Sequence, residues 1–339
     1  MGAASFIPHS LKPSPDAACY SILGFDPLEF YTGPGPLEAL ALGLEQNDRS
    51  IAFRCNFVTV FDNTLVDPCA GEISNKEALF LLTDLNEQLS SEKIKLFANR
   101  GYKNILIVDD ADLTDSLKTW EWAPPKNLAG QKMDKVFSKN TAGDFLTGLI
   151  DRSHALLDSH EINRVRVDLK ENPANMIWLW GQGKKPKLPS FAQATGHEAV
   201  AVCNADFAKG LAKALGMRST ENLDQALGNE FVFVYQGLTD SFDKYANLKT
   251  RIKCIEEFDA LLVSKITREI EGGSDIRVCV SGVCAASDAE KTFVCGRVPF
   301  LMCGKGIEAD ETTTFNERIS SQSNWIVDKG VELMGSFLK

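Results

Sequence analysis

From residue 174 onward, short apolar runs alternate with stretches of helical periodicity. Residues 176–180 (MIWLW), 199–203 (AVAVC) and 231–234 (FVFV) are short and bounded by turn residues, as buried strands are. Between them, 207–215 and 247–271 repeat apolar residues every three or four positions. The longer stretch sets Leu248, Ile252, Ile255, Phe258, Leu262 and Ile266 on one face and stops at Gly272-Gly273. Such alternation predicts an α/β fold: a mostly parallel sheet with helices on both faces. Residues 46–172 break the rhythm with strands and helices of their own and read as an inserted α+β domain. The core is then expected from 1–45 and 173–339.

Residues 275–304 hold two further apolar strands, 276–280 and 298–302, around the polar loop 281–296. Sites in open α/β sheets lie in loops at the carboxyl ends of strands, so this loop is where chemistry is expected. It carries Val283, Cys284, Phe293 and Val294, no histidine, and only Asp288 and Glu290 as carboxylates.

Net charge is −10 over 339 residues, which argues against nucleic-acid or membrane-surface partners, since both select a basic face. No apolar run is long enough to span a bilayer, and the first residues do not form a signal peptide. The nine cysteines lack CxxC spacing and fall largely in apolar segments, as reduced thiols of a cytoplasmic protein do.

Residues 1–35 are Pro-rich and read as irregular, with no strand before residue 20; 36–44 reads as a short helix with proline in its first turn. In 51–60, Phe53, Cys55 and Phe57 alternate with Arg54, Asn56 and Val58. Ser74 to Glu77 form a capping-box sequence before a helix with Leu79, Leu82, Leu85 and Leu89 inward. Residues 113–140 read mostly as loop. A helix over 141–160 is expected to bury Phe145, Leu149 and Leu157, with 163–172 extending it. Asp206 reads as the cap of the helix over 207–215.

Several blocks, in order and over nearly the whole chain, resemble the cofactor-independent phosphoglycerate mutases of archaeal type, in the alkaline phosphatase superfamily. They are 21–45, 51–60, 172–191, 206–217, 231–240 and 298–304. The resemblance implies a phosphatase-like α/β core with an inserted substrate-binding domain, and two divalent metals (Mn, Mg or Zn) at strand ends. It also implies a serine that carries the phosphoryl group between the hydroxyls of phosphoglycerate. Metals would neutralise the transferring group and activate the serine.

Carried over residue by residue, the resemblance puts Pro15 at the nucleophile position, with Ser14 one place early and Cys19 at a family histidine. Its metal ligands fall on Asp240, which remains, and on Lys244, Val283, Cys284 and Phe293; Tyr235 stands at a further family histidine. The family's first strand, ending in an aspartate ligand, would lie before this chain starts. Arg54, Asn56, Arg164, Arg166 and Lys184 are the expected contacts to a phosphate or carboxylate. Each has a structural alternative: a surface or ion-paired arginine, a charged loop lysine, an exposed loop aspartate at 240, an inert thiol at Cys284.

Three functional readings follow. The first is a catalytically degenerate family member without bound metals, acting as a binding or structural subunit through a phosphorylated small-molecule anion, self-association or a paralogous partner. The second is an active mutase completed by a partner chain or by residues upstream. The third is a hydrolase or transferase with a site reassigned to Cys284, Asp288 and Glu290.

Overall fold

The structure is a computed structural model that describes residues 1–118, 122–135, 141–237, 248–287 and 292–339. Its strands in chain order are β1 (Gly2–Ala4), β2 (Ser50–Phe61), β3 (Thr64–Asp67), β4 (Ile94–Arg100), β5 (Lys103–Asp109), β6 (Met176–Gly183) and β7 (Ala199–Cys203). β8 (Arg218–Ser219), β9 (Phe231–Tyr235), β10 (Arg277–Ser281), β11 (Ala285–Ser287), β12 (Thr292–Val294), β13 (Val298–Gly304) and β14 (Ile326–Val327) follow. The α/β class holds. The chain divides into two compact units, Thr32–Phe233 and a discontinuous one made of Met1–Tyr31 with Val234–Lys339.

In the contiguous unit, β2 is the spine. It pairs antiparallel with β5, β3 and β6, and β5 pairs antiparallel with β4. β2 is buried on both faces because each is covered by apolar side chains. Phe53, Cys55 and Phe57 join Leu81, Leu85, Leu149 and Trp178 in one core, and Ala52 packs with Ala39, Ile105 and Ile107 in another. β6, expected at the start of the returning core, is instead a strand of this sheet, so the compact unit runs past residue 172 to Phe233. The capping box at Ser74 is present and opens the helix Asn75–Leu89. That helix buries Ala78, Leu81, Leu82, Leu85 and Leu89, while Leu79 lies on its outer face.

Local chemistry explains other departures in this unit. The helix Thr141–Leu157 stops before His160, whose ring nitrogen accepts from Ile162 N at 3.1 Å and caps a separate helix, Glu161–Asp168. The stretch 113–140 contains the short helices Thr114–Lys118 and Pro125–Leu128. Ala205, not Asp206, is the cap residue of Asp206–Ala214; the Asp206 carboxylate is taken by Asn99 Nδ2 at 3.0 Å. In that helix a Cβ on Gly210 would run into the Leu37 carbonyl, so glycine permits the close approach to the helix Pro34–Ala41.

In the discontinuous unit the sheet order is β10-β13-β1-β14. β1 pairs antiparallel with β13 and parallel with β14, and β10 pairs antiparallel with β13. Parallel pairs include β1–β14 and β7–β8, and β9 lies beside β7 in a third sheet. A strand before residue 20 does exist. It escapes sequence reading because Gly-Ala-Ala has neither alternation nor β-branched residues. Its smallness is required: a Cβ on Gly2 would sit 2.6 Å from the Trp325 carbonyl oxygen and against the Phe300 ring. The Pro-rich start is helical at Pro15–Ile22 and Pro27–Phe30, each with proline at the first helical positions and a capping Ser14 or Asp26. The expected long helix forms as Leu248–Phe258 and Ser264–Glu271 around a π-helical segment, Asp259–Val263. Its expected inward residues Ile252 and Ile255 are exposed.

Candidate functional site

The helix Pro15–Ile22 and the loop after β10 hold the positions at which the nucleophile and metal ligands are expected. Ser14 has an extended backbone (φ −155°, ψ 146°) and its Oγ accepts from Ala17 N at 3.4 Å, so the hydroxyl serves as a helix cap. Pro15 is the first residue of the helix and has no nucleophilic atom. One residue on, Asp16 is buried and its carboxylate accepts from the Tyr31 hydroxyl. Tyr20, one turn along the same helix face, is fully buried. Its ring meets Tyr31 edge-on at 5.8 Å, and its hydroxyl has no hydrogen-bond partner among the described residues. Burial, then the charges of Asp16 and Cys19, push the Tyr20 phenol far above its ordinary range. It stays protonated at neutral pH.

Val283 and Cys284 follow β10 and pack, with Cys295, against the core of Ala4, Phe6, Val298 and Phe300. Burial raises the Cys284 thiol strongly, with Asp16 and Cys295 adding to the effect, so a thiolate nucleophile there is disfavoured. Phe293 lies in β12, paired with Ala286 of β11. Tyr235, at the end of β9, is buried. Asp240 and Lys244 lie outside the described residues, as do Asp288 and Glu290. Among the described residues no group of three or more His, Cys, Asp or Glu could hold a metal ion. Pro15, Val283 and Phe293 contribute no donor atom, and Cys284 offers a thiol held protonated. Among the described residues, these positions do not supply the side-chain donors of a two-metal centre.

The expected anion contacts lie in the contiguous unit, and the structure does not assemble them as a cluster. Arg54 on β2 donates from Nε (2.8 Å) and Nη2 (2.5 Å) to Glu38 Oε1, and its guanidinium lies 4.6 Å from the centroid of the Trp180 ring. Trp180 Nε1 donates to Asn56 Oδ1 at 3.2 Å. Arg54 and Asn56 are thus joined through Trp180 and held by a buried carboxylate. Burial raises the Glu38 carboxyl, and the Arg54 charge and hydrogen bond oppose this only in part.

Arg166 is buried and committed within the unit. Its Nε donates to Asn172 O at 3.0 Å, Nη2 to Ala70 O at 3.1 Å, and Nη1 to Glu77 Oε1 at 3.0 Å. These internal partners take up the whole fork. Arg164, two residues earlier on the helix, is exposed on a different face. Lys184 is half-buried; its carbonyl accepts from Thr32 Oγ1 at 2.6 Å, and its charge helps Lys187 hold Asp48 below its ordinary value.

Glu38 and Tyr31 are important here and escaped the sequence reading. Glu38 had a legible signal, since a lone carboxylate in Leu37-Glu38-Ala39-Leu40 needs a buried partner. The unit also carries a groove of about 730 Å³ beside β4 and β5, lined by Leu44, Phe97 and Ile107 together with lysines such as Lys95 and Lys213 and the carboxylates Glu45, Glu92 and Asp109.

Comparison with known proteins accords with this architecture. A family model described as 2,3-bisphosphoglycerate-independent phosphoglycerate mutase matches residues 1–163. A protein of that name from Methanosarcina mazei is 29% identical over 358 residues, covering 100% of this chain and 89% of its own. One from Methanothrix thermoacetophila is 29% identical over 352 residues, covering 98% and 88%. Among solved structures, a Pyrococcus horikoshii protein shares the fold at a TM-score of 0.73, with 20% identity, covering 99% of this chain and 85% of that one. The cofactor-independent phosphoglycerate mutase of Thermoplasma acidophilum gives 0.55, with 24% identity, covering 99% and 87%. Over nearly its whole length the chain is similar in sequence to proteins of that name, and it shares the fold of the solved mutase.

Proposed function

We propose that the chain is a catalytically degenerate relative of these mutases that acts as a binding or structural subunit. The observation that carries this reading is the chemistry at the inferred catalytic positions. The nucleophile position is Pro15, the first residue of a helix, and the adjacent hydroxyl of Ser14 is engaged as its cap. Val283 and Phe293, at the positions inferred for ligands, have no side-chain atom that could bind a cation. A hydroxyl nucleophile without an activating group transfers phosphoryl poorly, and here the hydroxyl is displaced as well. Phosphorylated small-molecule anions remain candidate ligands of the contiguous unit through Lys184 and Arg164. Self-association or pairing with a paralogous chain fits the sheet of the discontinuous unit, in which β10 is an edge strand.

The names of the relatives favour a second reading, an active mutase that interconverts 3- and 2-phosphoglycerate. One experiment separates the two: metal analysis of the purified full chain alongside an assay in both directions with manganese supplied. No turnover, together with a thermal shift on adding phosphoglycerate, supports the degenerate subunit. Two equivalents of metal per chain with interconversion establishes the active mutase and removes the first reading.

A further inference from the structure

The geometry points to Cys284 and Cys295 as a thiol pair that closes a cross-strand disulfide when it meets a low-molecular-weight disulfide such as oxidised glutathione. The register of the hairpin carries the argument. β11 and β12 pair antiparallel as Ala285 with Val294, Ala286 with Phe293, and Ser287 with Thr292. Cys284 and Cys295 are the next residues beyond the Ala285–Val294 pair, and the same register carried one step further would set them opposite one another. Directly opposed residues of an antiparallel pair have Cα atoms roughly 4.5–5.5 Å apart, inside the range of roughly 4.4–6.8 Å that a disulfide spans. Both residues are half-buried and reduced, and both pack on the same core.

The pairing is selective. Cys279 faces Met302 and Cys303 faces Val278 across β10 and β13. Those cysteines are therefore one step out of register and point to opposite faces of the sheet. Cys19, Cys55 and Cys69 are buried, and Cys55 and Cys69 belong to the other unit.

The chemistry is two thiol–disulfide exchanges. Cys295, as thiolate, attacks one sulfur of oxidised glutathione; that S–S bond breaks and one glutathione leaves as a thiolate and takes up a proton. Cys284 then loses its proton to solvent and attacks the Cys295 sulfur, displacing the second glutathione. Two protein thiols give up two hydrogens, and one glutathione disulfide becomes two thiols. Burial keeps Cys284 protonated, so the second exchange is the slow one and quickens as pH rises. The product closes residues 285–294 into a loop and fixes the segment holding Val283 and Phe293. The inference does not depend on whether the chain turns over phosphoglycerate.

The test equilibrates the folded full chain with glutathione over a range of oxidised-to-reduced ratios. Free thiols are then alkylated, and unreduced digests are mapped by mass spectrometry. The expected result is one linked peptide joining Cys284 to Cys295, two of the nine thiols protected, and reversal by excess reduced glutathione. Cys284→Ser should stop the reaction at a glutathione adduct on Cys295. Nine alkylated thiols at every ratio, a link between other cysteines, or a link formed only after denaturation overturns the proposal. So does an adduct on Cys295 of the unmodified sequence that never proceeds to the link. The map of the unsubstituted chain decides even where a serine variant fails to fold.

Discussion

Arg166 and Arg164 stand two residues apart on one helix and do opposite things. Arg166 supplies donors to three backbone carbonyls, Ala70, Gly71 and Asn172, and to the Glu77 carboxylate. Arg166→Ala should therefore cost about 3 kcal/mol, because partners built around a guanidinium lose it at once. Arg166→Lys should recover little, since one ammonium cannot reproduce the fork. Arg164→Ala should stay within about 0.5 kcal/mol. Urea unfolding of the three variants checks this, and equal losses at the two arginines would refute the assignment. Glu38 allows a second test at this scale. Its carboxyl titrates above the ordinary glutamate range in the folded chain, so the folded state holds more protons than the unfolded one across that interval. The contribution is full at low pH and is lost as pH rises through the raised value. Relative to Glu38→Gln, the unsubstituted chain should lose stability in chemical denaturation as pH rises above the ordinary glutamate range. A gain in that interval would show the sign to be wrong.

Elements were legible where their determinants are local. The capping box at Ser74 names its own helix start, and short apolar runs such as Phe231–Tyr235 name their own strands. β1 was illegible because what selects Gly-Ala-Ala is the ring of Phe300 and the carbonyl of Trp325, hundreds of residues away. Gly2→Val should destabilise the chain by about 2 kcal/mol or more, seen as a lowered thermal midpoint. The helix at Pro15 was hidden by reading proline as punctuation, whereas at the first helical position it is compatible with the fold. Pro15→Ser restores the side-chain type of the family's nucleophile but supplies no ligand at Val283 or Phe293. On the degenerate reading the variant should show no mutase activity, and it should fold within about 1 kcal/mol of the parent. Turnover in that variant would show that the centre is more complete than its described side chains allow. The candidate site was half legible. The replacements at 15, 283 and 293 could be read in order along the chain, while the Arg54–Glu38 and Arg166–Glu77 pairs depend on folding that joins distant segments.

At the level of the whole chain, the expected inserted domain is embedded in a larger contiguous unit, Thr32–Phe233, because β6 completes the sheet that β2 begins. The other unit is made of two ends: Ala4 pairs with Val298, 294 residues later. During synthesis the ends of that unit are separated in time as well as in sequence. At roughly 5–20 residues per second, the first strand waits about 15–60 s for the strand it pairs with. The contiguous unit has all its strands and helices well before then. Chains arrested once residue 233 has left the ribosome should resist protease over 32–233 and be cut within 1–31. Equal sensitivity of both stretches would argue against this order. A Gly-Ala-Ala strand suits such a wait, for it has almost no apolar surface with which to find a wrong partner while the right one is still being made.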